Sequence, residues 1–251
     1  MPDSTERAGV LSVVMPAHNE AAYLESAVRD VSDGLRARGH DLEVLVVENG
    51  STDETLAIAQ RLADATPGVH VSSRPVADYG AALRDGLRAA HGEQILTFDV
   101  DYYDLAFADD ALALLTGAAP APAIVVGSKR ATGARDERPW PRRLVTTVFS
   151  VLLRLVFSLS VSDTHGMKAM GRAEVAPILE RCRFRTDLFD TELVIRSERA
   201  GLEVAELPVT AQERRPSRTP IWRRVPRTVV GMVVLRVALW RDARHQHAPS
   251  S

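Results

Sequence analysis

The sequence predicts an α/β fold: a mostly parallel sheet with helices on both faces. Two observations carry this. Through the first half of the chain, short apolar runs alternate with segments of helical periodicity. Glycines and prolines also punctuate where such elements should end, at Gly39, Gly92 and Pro67-Gly68. At 251 residues, with 45% hydrophobic and 25% charged residues, the chain can bury a full core.

Leu11 to Met15 reads as the first strand, and Ala21 to Arg38 as a helix closed by Gly39. Leu42 to Val47 is the second strand and Thr52 to Ala63 the second helix, with Pro67-Gly68 turning into a third strand, Val69 to Ser72. Tyr79 to Ala90 is the third helix, stopped near Gly92; Gln94 to Phe98 and Ala123 to Val126 are further strands. The rhythm then breaks. Arg130 to Arg143 carries charges and Pro139-Trp140-Pro141 and reads as a mobile loop. Leu144 to Ser162 follows, nineteen residues in which Arg154 is the only charge. Arg143, Thr147, Ser150, Arg154 and Ser158 share one arc of its helical wheel. That strip suits an interfacial or half-buried helix better than a membrane span; the alternative is a core helix with Arg154 ion-paired. Thr191 to Ala200 is a helix closed by Gly201, and Glu203 to Leu207 a strand.

The net charge of −2 hides an asymmetry: Arg214 to Arg244 holds nine arginines and one acid, Asp242. Such a segment seeks an anionic partner. Its apolar stretch, Val229 to Leu235, is bracketed by Trp222 and Trp240, so residues 221–244 form a basic amphipathic segment. It either lies on an anionic bilayer or packs on the domain's own core. Residues 1–9 and 245–251 are expected to be disordered ends. The lone Cys182 excludes an intramolecular disulfide framework, and no basic, apolar leader opens the chain, so a cytoplasmic location is expected.

Asp99-Val100-Asp101 is the most informative motif. Two carboxylates follow the apolar run Gln94 to Phe98, at the carboxyl end of a strand, where open α/β sheets bind ligands. Paired hard oxygen donors suit Mg²⁺ or Mn²⁺, which keep positions open for phosphate oxygens. Asp104 adds a ligand or caps the next helix. Three more blocks stand at strand ends or helix starts: Val13-Val14-Met15-Pro16-Ala17-His18-Asn19-Glu20, Val46-Val47-Glu48-Asn49-Gly50-Ser51-Thr52-Asp53 and Gly80-Ala81-Ala82-Leu83-Arg84-Asp85-Gly86.

In order and spacing these four blocks resemble the nucleotide-binding half of family 2 glycosyltransferases with the GT-A fold. Val126-Gly127-Ser128-Lys129-Arg130, Asp163-Thr164-His165-Gly166-Met167-Lys168, Phe189-Asp190-Thr191-Glu192-Leu193 and Glu206-Leu207-Pro208-Val209 resemble the acceptor half of the dolichyl-phosphate mannose synthase and dolichyl-phosphate glucosyltransferase group. The resemblance covers residues 10–220, with a donor half at 10–128 and an acceptor half at 129–220. It implies inverting transfer of a hexose from UDP-glucose or GDP-mannose to a polyprenyl phosphate, at the inner face of the cell membrane.

Carried onto this sequence, the resemblance places Pro16, His18, Glu20, Glu48 and Asp99 around the donor nucleotide. Glu20 and Asp53 are alternatively helix-start acids. Asp99 and Asp101 hold Mn²⁺ or Mg²⁺. Asp101, Asp163, Lys168 and Glu192 are the candidate catalytic residues, Glu192 being alternatively the holder of an active-site arginine. Lys129, Arg143 and Lys168 meet the acceptor phosphate, with Arg142 in place of Arg143 if the loop register slips; Arg215 and Arg218 form a lid. The chain departs from the family where Glu48-Asn49 replaces Asp-Asp, Tyr79 replaces a lysine and Lys129 replaces an arginine. A soluble hydroxyl acceptor is the alternative, and would require a positioned carboxylate base. Nucleic acid is the poorest partner, because a net-acidic domain repels its phosphates.

Overall fold

The computed structural model describes residues 7–117, 119–136, 140–184, 186, 188–211 and 221–246. Its strands are β1 (Arg7–Ala17), β2 (Asp41–Asn49), β3 (Val69–Arg74), β4 (Gly92–Thr97), β5 (Ile124–Ser128), β6 (Arg135–Asp136), β7 (Lys168–Gly171), β8 (Val204–Pro208) and β9 (Thr210–Ala211). The helices are α1 (Leu24–Ala37), α2 (Thr55–Ala65), α3 (Tyr79–Ala89), α4 (Leu105–Leu115), α5 (Trp140–Phe157), α6 (Arg172–Leu179), α7 (Phe189–Arg199) and α8 (Ile221–Gln246). Seven strands form one sheet in the order β3-β2-β1-β4-β7-β5-β8, and β6 and β9 pair separately.

Period-two alternation sorts side chains between the two faces. Leu11, Val13 and Met15 of β1 join Leu24, Val28, Val31 and Leu35 of α1 and Phe107 and Leu112 of α4 in one core. Val14, between them, points the other way and joins Leu83 and Leu87 of α3, with Phe189 and Leu193 of α7 in the same cluster. Helices therefore cover both faces of the sheet.

The structure corrects several expectations. β1 begins at Arg7, so the N-terminal strand reaches into the segment expected to be disordered; residues 1–6 lie outside the described residues. β7 was not anticipated. It runs antiparallel between β4 and β5, and its four residues open on a lysine, so no apolar run marks it. α6 was missed because eight residues with Pro177 inside give little periodicity. The loop expected over residues 130–143 is shorter, because α5 starts at Trp140 with Pro141 in its first turn. α5 ends at Phe157, just before Ser158, whose φ is +58°.

The arcs of α5 are also not disposed as a core helix would have them. Ser150 is buried and Arg154 exposed, while Leu144 and Leu155 are 54% and 75% exposed. Among its described side chains, Leu153 and Phe157 are buried in the core and Val156 packs against it. α8 continues through Pro226 as far as Gln246; Met232, Leu235 and Leu239 are buried against the body. No helix among the described residues is long and apolar enough to cross a membrane.

α3 lies close to the sheet because Gly86 has no side chain. A Cβ there would sit 2.4 Å from Val14 Cγ1 and 3.0 Å from Val47 Cγ2, both on stiff β-branched residues. Gly86→Ala is expected to cost about 1–3 kcal/mol of stability. Urea unfolding should show the midpoint falling with the slope unchanged; an unshifted midpoint would mean that α3 is free to back away.

Candidate active site

The sheet grows from β1 through β2 to β3 on one side and through β4 on the other, so the carboxyl ends of β1 and β4 flank a topological switch point. A narrow crevice opens there, lined by Pro16, Tyr79, Leu83, Thr97, Phe98, Asp99 and Gly166. Gly166, with φ +107°, brings the second-half motif to the ends of the first-half strands in a conformation that side chains disfavour.

The loops after β1 and β2 are stapled together. His18 Nδ1 donates to the Asn49 carbonyl at 2.8 Å, Asn19 N to Ser51 Oγ at 3.0 Å and Glu20 N to Thr55 Oγ1 at 2.7 Å. Asn19 is held at φ +55°, and its Oδ1 accepts from Thr52 N at 2.8 Å. Asn49 Oδ1 accepts from Asp78 N at 2.8 Å, which ties in the loop before α3. Asp53 accepts from Thr55 N at 3.0 Å just before α2, the helix-start role expected of it. Glu20 is buried between these loops.

Glu48 is 2% exposed and accepts from Ser51 N and Ser73 Oγ, each at 2.5 Å. Burial pushes its pKa upward, but these hydrogen bonds and the nearby His18 outweigh that and hold it below the usual carboxylate range. It is therefore ionised at neutral pH, with one lone pair of each oxygen already engaged.

Asp99 stands at the floor of the crevice, and Tyr79 Oη donates to its Oδ1 at 3.2 Å. Tyr102 N donates to the Asp99 carbonyl at 3.1 Å, folding the chain back so that Asp99 and Asp101 share one turn. Burial raises the Asp99 pKa to about 6, helped by the charges of Asp101 and Asp190 and opposed by Lys129 and Lys168. Asp104 is the N-cap of α4, its Oδ1 accepting from Ala106 N at 2.8 Å and Phe107 N at 3.3 Å.

Lys168 and Asp190 form an ion pair at 2.6 Å, each side chain 1% exposed, and Lys168 Nζ also donates to the Gly166 carbonyl at 3.0 Å. Lys129 Nζ lies 4.7 Å from the centre of the Tyr102 ring, a cation–π contact at the rim of the same site. Asp163 is buried; its Oδ1 accepts from His165 N at 3.0 Å and its own N–H donates to Glu206 Oε1 at 3.0 Å. Glu206 was quoted within a motif but given no task. It also accepts from Ser162 N at 2.6 Å, so it fixes the Asp163 turn from β8.

Glu192 lies at the start of α7, facing the protein interior. It is fully buried, and its carboxylate accepts from Arg196 Nε at 2.7 Å and from the backbone N–H groups of Arg183 and Phe184, each at 2.8 Å. Arg196 continues to Asp242 of α8 at 2.9 Å. The carboxylate thus joins α7, the 183–184 turn and, through Arg196, α8. Arg143 is exposed in the first turns of α5, where its carbonyl accepts from Thr147 Oγ1 at 2.7 Å. Arg142 has no described side chain, and Arg215 and Arg218 lie outside the described residues.

Among the described residues no three His, Cys, Asp or Glu side chains form a closed metal cage. Asp99 and Asp101 instead make a repelling pair whose remaining coordination is left to other ligands. Such a pair fits a hard divalent cation that keeps water and phosphate oxygens.

Residues 12–177 match the sequence profile described as Glycosyl transferase family 2. The chain belongs to glycosyltransferase family 2. This transferase is 31% identical over 214 residues to Glycosyltransferase AglD of Haloferax volcanii, covering 83% of the chain but 34% of that relative. It thus spans about a third of AglD's length (34%). It is 26% identical over 251 residues to Dolichyl-phosphate beta-glucosyltransferase ALG5A of Trichomonas vaginalis, covering 94% of the chain and 77% of the relative. Among solved structures, glucosyl-3-phosphoglycerate synthase from Mycobacterium tuberculosis, in complex with Mn²⁺, UDP and phosphoglyceric acid, superposes with a TM-score of 0.63 at 23% identity, covering 90% of this chain and 78% of that one. The fold is GT-A, and the protein is a nucleotide-sugar-dependent glycosyltransferase.

Two outcomes follow for this family 2 transferase. If Asp99 holds Mn²⁺ it must be ionised to do so, and in the metal-free protein its carboxyl takes up a proton as pH falls through about 6. Mn²⁺ affinity, read by electron paramagnetic resonance, should therefore hold at pH 7.5 and weaken progressively below 6; a flat profile to pH 5 would remove Asp99 from the site. Glu192→Gln should lower stability by about 1–3 kcal/mol, because Arg196 keeps Asp242 but loses one of its two charged partners. Turnover per folded molecule should stay within a few-fold, whereas loss of a general base costs about 10²–10⁴-fold.

Proposed function

We propose that this glycosyltransferase moves glucose or mannose from a nucleotide diphosphate sugar to a polyprenyl phosphate, with inversion and with Mn²⁺ or Mg²⁺. One observation carries the reading. Two lysines, Lys129 and Lys168, act electrostatically on Asp99, while the carboxylates beyond the aspartate pair are each engaged by protein groups: Asp163 by His165 N, Asp190 by Lys168 and Glu192 by Arg196. Among the described residues, a site with Lys129 at its rim and these carboxylates already engaged suits an acceptor that is itself anionic. A phosphate monoester is one, its second pKa being about 6.

In this reading Pro16, His18, Glu20 and Glu48 border the base and ribose. Glu48, ionised, accepts hydrogen bonds on its remaining lone pairs. Asp99 and Asp101 would hold the divalent cation, which when bound neutralises charge on the departing diphosphate. Lys129 and Arg143 draw the acceptor phosphate in, Lys129 as a point charge rather than a planar fork. Lys168 is held rigid by Asp190 and orients the Gly166 turn beneath the sugar. An acceptor phosphate oxygen attacks the anomeric carbon from the face opposite the leaving group. The bond to the diphosphate breaks and nucleoside diphosphate departs; no proton transfer is needed. The reaction takes place at the cytoplasmic face of the membrane.

The test is a transfer assay with Mn²⁺, a short-chain polyprenyl phosphate and, separately, UDP-glucose and GDP-mannose. A charged glycolipid should form with one donor, and Asp101→Asn should lower turnover by about 10²-fold or more while the fold survives, several kcal/mol of charge stabilisation being lost. Donor hydrolysis without glycolipid would point to a different acceptor, such as a soluble hydroxyl.

A further inference from the structure

Fourteen large hydrophobic side chains are exposed among the described residues, and eleven of them lie on α5 and α8. The two helices pack against one another. On α5 the exposed set recurs as Leu144, Val148, Val151 and Leu155, one arc of the helix, with Leu155 75% exposed. On α8, Val230, Val233, Val237 and Trp240 occupy the arc opposite the buried Met232, Leu235 and Leu239. Isolated exposed hydrophobics need no explanation; two adjacent stripes do.

Charge identifies the occupant. α5 and α8 together carry nine arginines and one acid, Asp242, and that acid is turned to the body by ion pairs with Arg183 and Arg196, each at 2.9 Å. Arg143 and Arg154 edge the α5 stripe and Arg236 and Arg241 the α8 stripe, all four exposed. A second copy of this chain would bring the same cations against them and be repelled. An anionic bilayer accepts both the apolar side chains and the arginines, and neither helix can cross it.

We propose that α5 and α8 form one composite docking face that seats the enzyme on an anionic membrane surface. The α5 stripe belongs to the catalytic half and not to the C-terminal segment, so attachment survives partial loss of either helix's contribution and is lost when both are altered. The purpose of the face rests on the lipid-acceptor reading above; its existence does not, because it is read with vesicles that contain no acceptor.

The experiment is sedimentation of the full chain with vesicles of phosphatidylcholine containing about one third phosphatidylglycerol, a composition chosen to supply surface charge. Wild type should bind these vesicles at least tenfold more tightly than pure phosphatidylcholine, and high salt should release most of it. Leu155→Glu with Val233→Glu should lower binding at least tenfold, with each single variant intermediate. Circular dichroism and donor hydrolysis should not change. Binding by the double variant equal to wild type would overturn the proposal, as would no preference for the anionic vesicles. So would a dimer, detected by light scattering, that the double substitution dissolves. Vesicle binding with no glycolipid formed would instead sink the acceptor reading and leave the docking face standing.

Discussion

The buried ion pair between Lys168 and Asp190 is the contact on which the rest of the site depends. Lys168 opens the antiparallel strand between β4 and β5, and Asp190 lies in the first turn of α7, where the helix dipole favours a negative charge. One contact of 2.6 Å thus joins sheet, motif turn and helix in the core. Two unpaired charges at that depth would be costly, and together they are tolerated because each supplies the other's missing solvent. The pair also sets the field around Asp99, with Asp190 raising its proton affinity and Lys168 lowering it.

Around that centre the molecule separates apolar and polar labour. Strands covered on both faces supply rigidity, and function is carried by the turns where those strands stop. The turns are cross-linked: Asn19, Asn49 and Glu48 each bond to a neighbouring loop or strand. The ends of β1, β2 and β3 therefore behave as one rigid rim, with the aspartate pair just beyond β4. A second network, Glu192–Arg196–Asp242, does the same on the far side by joining α7 to α8.

Most of the first half was legible because its physical signals are local. Apolar runs ending at Pro16, Glu48 and Asp99 form buried strands that stop at polar turns, and the structure extends them by one to four residues at their ends, except that β4 stops at Thr97, one residue short of Phe98. What escaped depends on tertiary partners. β7 opens with a lysine that only Asp190 makes tolerable in a sheet interior, and Asp190 lies 22 residues away. Glu192 and Asp190 look alike in sequence, two acids in the first turn of one helix; only their partners distinguish them. The wheel of α5 showed two arcs but not which one faces the core, and the structure buries Ser150 while Leu155 stands in solvent.

The antiparallel strand also bears on how the chain is assembled during synthesis. β4 and β5 are complete by residue 128, yet they are not neighbours; the strand between them is made only at Lys168–Gly171, after α5. Until then the nascent sheet presents unpaired backbone on β4, an edge that invites pairing with other chains. A ribosome pausing within α5 would hold the protein in that open state, and a fragment cut in the segment around residue 138 would keep it permanently.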